Sequence, residues 1–296
     1  MSLPAFIEYL SLEKKYSKHT VNAYSKDIET FQDFIEKQFD DTAIKDVNYS
    51  QIRSWIVALV ETKITNRSIN RKISSLQSYY KFLLKIEDIE VNPLVKHKAL
   101  KTSKKIQIPF SKAEINSVLD GISHSDSFEG IRNKLIIELF YSTGMRRIEL
   151  IELQMASIDF SNKTVKVLGK QNKERYIPLL DSVIQTLQLY LKQRQLLENA
   201  NDSSYLFLTK KGVKIYENLV YRVINEYFSE ASLKAKKSPH ILRHSFATHL
   251  LNQGANLNAV KELLGHASLA ATQVYTHNSI SELKKVYSNA HPRSKK

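Results

Sequence analysis

The chain has 296 residues, 42% hydrophobic and 25% charged, the composition of a soluble globular protein of one large or two ordinary domains. It has no cysteine, which excludes disulfides and thiol catalysis. There is also no signal-peptide pattern or run of about 18 apolar residues, so a cytoplasmic protein with no membrane segment is expected. Lys and Arg number 44 against 30 Asp and Glu, a net charge of +14 that favours polyanionic partners through counterion release but equally fits a merely soluble basic protein.

Apolar residues at three- and four-residue steps predict helices through the first 90 residues. They cover FIEYLSLEKK, a long segment from about Thr20 to Glu36, SQIRSWIVALVE and TNRSINRKISSLQSYYKFLLK. Val21, Tyr24, Ile28, Phe31 and Ile35 share one face, as do Ile69, Ile73, Leu76, Tyr80 and Leu83. Arg67, Arg71 and Lys72 lie off that face, either as a solvated surface or available to DNA. The expected unit is a four-helix domain over residues 1–90. A basic linker over 91–108 follows, within EVNPLVKHKALKTSKKIQIP, a stretch with two prolines and Lys96, Lys98, Lys101, Lys104 and Lys105 and little periodicity.

The second domain is expected over residues 109–296. Ser111 and Glu114 form a capping box, with Gly121 expected just past the end of that helix. IRNKLIIELFYSTG reads as a buried helix ending at Gly144, which leaves Arg146 in the following turn. SIDFSNKTVKVLGKQNKERYIPL alternates polar and apolar residues around two turn signals, predicting three short antiparallel strands with Lys170 at the tip of the second hairpin. Helices follow over SVIQTLQLYLKQRQLL and IYENLVYRVINEYF, with a short extended piece at Tyr205–Leu208 between them. The predicted class is mostly α with a small antiparallel β-sheet, in two domains.

Candidate chemistry lies downstream. Ser238 and Pro239 suit the N-cap and first position of a helix that Gly254 ends. At about 3.6 residues per turn, Leu242, Phe246 and Leu250 form its apolar stripe, while His240 and Arg243 fall on another side. Such a pair can meet a phosphate together; it also fits a capping imidazole and a surface ion pair. A second short helix spans Ala255 to Leu264 and stops at Gly265, placing His266 in a turn before Tyr275. KELLGHASLAATQVYTH alone equally fits a helix-turn-helix reader with Tyr275 as a core aromatic.

Taken together, Arg146, Lys170, His240, Arg243, His266 and Tyr275 point to a phenolic nucleophile attacking a phosphodiester. A tyrosine hydroxyl has a pKa of about 10 and is a weak nucleophile unaided. Forked guanidinium groups suit the charge that builds on the non-bridging oxygens. A lysine or histidine is needed to protonate the leaving oxygen, and another base to take the tyrosine proton. No acidic cluster resembles a Mg²⁺ or Zn²⁺ site, so neither metal nor cofactor is expected.

The six residues and their flanking words, TGMR with EL, HILRHSFATHLL and LLGH, resemble the tyrosine recombinase (phage integrase) family. They are most similar to the Xer-type members that resolve bacterial chromosome dimers. The likeness covers nearly the whole chain, including SKHTVNAYSKDIETFQDF. Gln171, where glycine is usual, and Arg147, where a small or apolar residue is common, depart from the pattern. The resemblance implies an N-terminal core-binding domain that clamps double-stranded DNA and a C-terminal catalytic domain. It implies a 3′-phosphotyrosyl intermediate on Tyr275 and a homo- or hetero-tetramer with a related recombinase on two specific sites. It also implies exchange through a Holliday junction and a DNA translocase as activator. Arg146 and Arg243 then clamp the phosphate with His266 as an added donor, Lys170 is the acid, and His240 accepts or relays the tyrosine proton. The last segment opens on a capping box, Ser279 with Glu282, and reads as a docking helix over 280–290. In the family it packs into a neighbouring subunit; docking on its own domain is the alternative. A phage or mobile-element integrase shares this chemistry, and a type IB topoisomerase shares the phosphotyrosine step. A catalytically silent DNA-binding protein is the rival of another class.

Overall fold

The computed structural model describes residues 2–39, 42–103, 107–122, 127–169, 173–197, 201–234, 236–265, 287 and 289–293. The chain divides into two compact units, Met1–Lys105 and Ile106–Lys296. Among the described residues no helix is long and apolar enough to cross a membrane.

The first unit is built from α1 (Ser2–Glu8), α2 (Lys18–Gln38), α3 (Tyr49–Glu61) and α4 (Asn66–Lys85). FIEYLSLEKK is not one regular helix: α1 passes at Tyr9–Glu13 into a π-helical turn. The later starts are fixed by side-chain oxygens that take otherwise unpaired N–H groups, Ser17 from Thr20, Thr65 from Ser68, and Asn48 in a capping box with Gln51. Both predicted stripes are buried, with Tyr24 partly so, and Phe31 meets Trp55 at 4.9 Å between ring centres.

Two of the three off-face cations are already engaged. Asp27, only 2% exposed, accepts from Arg71, Lys72 and Ser75. A buried carboxylate needs such partners, and Arg67 remains exposed. The described part of 91–103 lies along the helices: Leu94 is buried in the first core, and Asn70 and Asn66 donate to the carbonyls of Leu100 and Lys101.

The second unit contains α5 (Lys112–Ile122), α6 (Phe128–Thr143), α7 (Arg147–Ile151), strands β1 (Ile158–Asp159), β2 (Thr164–Leu168) and β3 (Glu174–Pro178), and helices α8 (Asp181–Gln195), α9 (Glu217–Ala231), α10 (Pro239–Asn252) and α11 (Leu257–Leu264). The Ser111–Glu114 capping box is present, but Gly121 lies inside α5. α6 is the central helix; every residue from Leu135 to Thr143 is buried. The sheet is antiparallel in the order β1-β2-β3, with Val165 opposite Ile177 and Val167 opposite Arg175. On β3 the inward positions are therefore Arg175 and Ile177.

Tyr287 and Ala290 are buried in this same core, and His291 is buried against its rings. The Tyr287 hydroxyl donates to the Ser142 carbonyl at 2.8 Å, while His291 packs against the rings of Tyr141, Phe246 and Tyr287. The rest of the 280–290 docking helix, residues 280–286 and 288, lies outside the described residues. These contacts supply the end of the chain with partners on its own unit, so removing the segment costs stability here as well as any assembly.

His291 donates from Nε2 to the Tyr141 carbonyl and accepts at Nδ1 from the Arg293 N–H, an arrangement suited to the neutral ring. Burial first, then nearby Arg293, His249 and Lys112, lower its pKa to about 4, with the Tyr141 carbonyl opposing. Between pH 6.5 and 4 the unfolded chain takes up a proton that the folded chain refuses, so stability falls as pH drops through this window. We expect about 3 kcal/mol of loss from this group, read as the difference in pH-dependent unfolding between the wild type and His291→Phe.

Candidate active site

Two glycines open the site. α6 ends at Gly144 and α11 at Gly265, both left-handed with φ of +60° and +62°. That conformation penalises a side chain and lets each helix stop abruptly. At Gly144 a Cβ would lie 2.4 Å from Phe246 Cδ1 and 2.8 Å from Leu264 Cδ2. Gly144→Ala is therefore expected to cost about 2–4 kcal/mol, from the left-handed strain and the overpacking together. Urea unfolding measures it; an unchanged midpoint would remove this close approach from the account.

Arg146 follows as the N-cap of α7, its backbone N–H held by Glu149 Oε2 at 2.7 Å. Its guanidinium donates from Nη1 to Glu149 Oε1 (2.6 Å) and from Nη2 to the Gly265 carbonyl (2.9 Å). The side chain stays 36% exposed. Arg243, on α10, donates from Nη1 to the Gly144 carbonyl (2.6 Å) and from Nη2 to the Leu264 carbonyl (2.8 Å). The two arginines thus grip neighbouring carbonyls at the end of α11, where the helix dipole favours cations.

Arg243 is 8% exposed, not a surface cation. Burial, then the neighbouring Arg146, hold it down to about 10, still charged at neutral pH. Glu149 is buried, which pushes its carboxyl up, but hydrogen bonds from Arg175 and then Arg146 outweigh this and hold it below the ordinary carboxylate range.

His240 is exposed in the first turn of α10, after Pro239. Ser238 is the N-cap, although its hydroxyl makes no capping bond. Partial burial and then Lys236, Arg243 and His244 lower the His240 pKa, favouring a neutral imidazole at neutral pH. Gly169 N–H donates to the Lys173 carbonyl across the base of the β2–β3 hairpin. Lys170 and Gln171 within it, and His266 and Tyr275, lie outside the described residues. Arg147 pairs with Glu217 of α9. Among the described residues no three His, Asp or Glu side chains gather into a metal-binding set.

Two family models match: phage integrase over residues 114–282, and the phage integrase N-terminal SAM-like domain over 3–86. The chain belongs to the phage integrase family of tyrosine recombinases. A tyrosine recombinase XerC of Anoxybacillus flavithermus is 39% identical over 296 residues, covering 99% of this chain and 98% of the relative. One from Staphylococcus epidermidis is 38% identical over 291 residues, covering 98% and 97%. Among solved structures, a XerH site-specific recombinase bound to palindromic difH substrate matches with a TM-score of 0.73 at 23% identity, covering 97% of this chain and 84% of that one. The Tn1549 transposon integrase with circular intermediate DNA gives 0.72 at 21%, covering 95% and 98%. At these identities the structures establish the fold alone. As a member of the tyrosine recombinases, the chain is a site-specific recombinase that cleaves and rejoins DNA.

Motif reasoning missed two residues of the site, Glu149 and Arg175. The signal for Arg175 was a charge at an inward position of an alternating strand. Glu149 stood three residues after Arg146 in GMRRIEL, the spacing of a helix-start carboxylate.

Proposed function

We propose that the chain is a Xer-type recombinase resolving chromosome dimers, with Tyr275 attacking the scissile phosphate to form a 3′-phosphotyrosyl bond and release a 5′-hydroxyl. Arg146 and Arg243 clamp the non-bridging oxygens, with His266 as an added donor. Lys170 protonates the 5′-oxygen. His240 takes or relays the Tyr275 proton, a role supported by its lowered pKa. The bond to Tyr275 conserves the phosphodiester energy, so religation needs neither ATP nor ligase. Four protomers on two DNA sites, with a second copy or a related recombinase as partner, exchange strands through a Holliday junction, and a translocase activates them.

The observation that carries this reading is the convergence of Arg146 and Arg243 on the carbonyls of Gly265 and Leu264, directly before His266. Such preorganised donors suit charge that develops in a transition state. A nicked suicide substrate tests it: SDS-resistant protein–DNA adduct is expected, mapping to Tyr275. Intact binding with no adduct would leave a silent DNA-binding protein instead.

The second reading, a mobile-element integrase, is favoured by the fold shared with the Tn1549 integrase. Identity of 39% to a full-length XerC relative weighs toward the Xer role. Sequencing the junctions formed in the host separates the two.

A further inference from the structure

Arg175 is the feature that the proposed chemistry leaves unused. It stands on the core face of β3 and is 4% exposed, where alternation calls for an apolar side chain. Burying a guanidinium is costly unless every direction is answered. Here Nη1 and Nη2 donate to Glu149 Oε1 and Oε2 at 2.9 and 2.7 Å, and Nε donates to the Leu263 carbonyl at 2.9 Å. The same group backs Gly265, where an added Cβ would meet Arg175 atoms at 3.1–3.3 Å.

Three consecutive carbonyls at the end of α11 are thus taken by three arginines: Leu263 by Arg175, Leu264 by Arg243 and Gly265 by Arg146. Glu149 joins two of them, because each of its oxygens accepts once from Arg175 and once from Arg146. Arg146, Glu149 and Arg175 are among the charged groups acting on Arg243. Among these four described side chains three cations face one carboxylate, so the cluster favours added negative charge. A phosphodiester carries one negative charge, and its five-coordinate transition state carries two.

We propose that Arg175 is a positioning residue for strand cleavage: by engaging Glu149 and bracing the end of α11, it keeps Arg146 and Arg243 in place, and Arg146 less neutralised, for the negative charge that builds in the transition state. The inference rests on reading Arg146 and Arg243 as the phosphate clamp. Without Arg175, Glu149 turns wholly toward Arg146, and the cluster loses one positive charge. The loss then appears in the cleavage step and not in site binding.

The test is single-turnover cleavage of a nicked suicide substrate, with site affinity and thermal melting in parallel. Arg175→Met is expected to slow adduct formation about 10–100-fold while affinity stays within about threefold. Arg175→Lys recovers part of the rate. Adding Glu149→Gln to Arg175→Met removes the carboxylate that neutralises Arg146 and raises the rate above that of Arg175→Met alone. On a substrate with a neutral methylphosphonate at the scissile linkage, one charge is gone from the transition state and the Arg175→Met deficit shrinks. An equal deficit on both linkages, or a double variant slower than either single one, overturns the proposal and leaves Arg175 a purely structural residue. If Arg175→Met loses its melting transition, Arg175→Gln, which keeps amide donors without the charge, takes its place in the same comparison. Absence of adduct from the wild type would overturn the clamp reading itself; a normal wild type with an unimpaired Arg175→Met overturns only the role of Arg175.

Discussion

Tyr275→Phe is expected to form no covalent adduct on a suicide substrate while still shifting its site on a gel with an affinity within about twofold of wild type. The change removes one oxygen and leaves the ring, so packing and the basic surface that meets phosphates are retained. The oxygen removed is the only atom of that side chain able to attack phosphorus. With 15 tyrosines in the chain, the experiment also decides which one reacts. An SDS-resistant adduct from Tyr275→Phe would transfer the nucleophile to another tyrosine and undo the assignment.

Arg243→Ala is expected to lower the cleavage rate by about 100- to 1,000-fold, the range for losing a preorganised donor to a developing charge. Site binding should change far less, because the exposed lysines and arginines that supply most non-specific affinity are untouched. The variant also leaves the Gly144 and Leu264 carbonyls without these donors, so a modest fall in the unfolding midpoint accompanies it. Arg243→Lys should rescue little, since a single ammonium cannot span both carbonyls as the fork does. Equal losses in binding and cleavage would mean that Arg243 only positions the complex.

Much of the fold was legible because its signals are local. The stripe from Val21 to Ile35 and that from Ile69 to Leu83 repeat at helical steps, and both are buried. Gly144 and Gly265 read as helix stops, and both adopt the left-handed conformation. Alternation around two turns gave three antiparallel strands in chain order. Where a local cue was weak, tertiary context won. Gly121 stayed within α5, and the first predicted helix takes a π-helical turn at Tyr9–Glu13.

The amino-acid order alone determined the helical class, the two-part organisation expected of the chain and the motif that marks its family, since periodicity, capping and short words act within a few residues. The tertiary structure decided how the cations are used. Arg71 and Lys72 turn to a buried Asp27, Arg243 is a buried anchor and not a surface charge, and Arg175 shares Glu149 with Arg146. These partners lie from 3 to 99 positions apart in the chain, with no repeat to announce them. What selects them is the free energy of leaving a buried charge or carbonyl unanswered, and that arises only when distant segments close together.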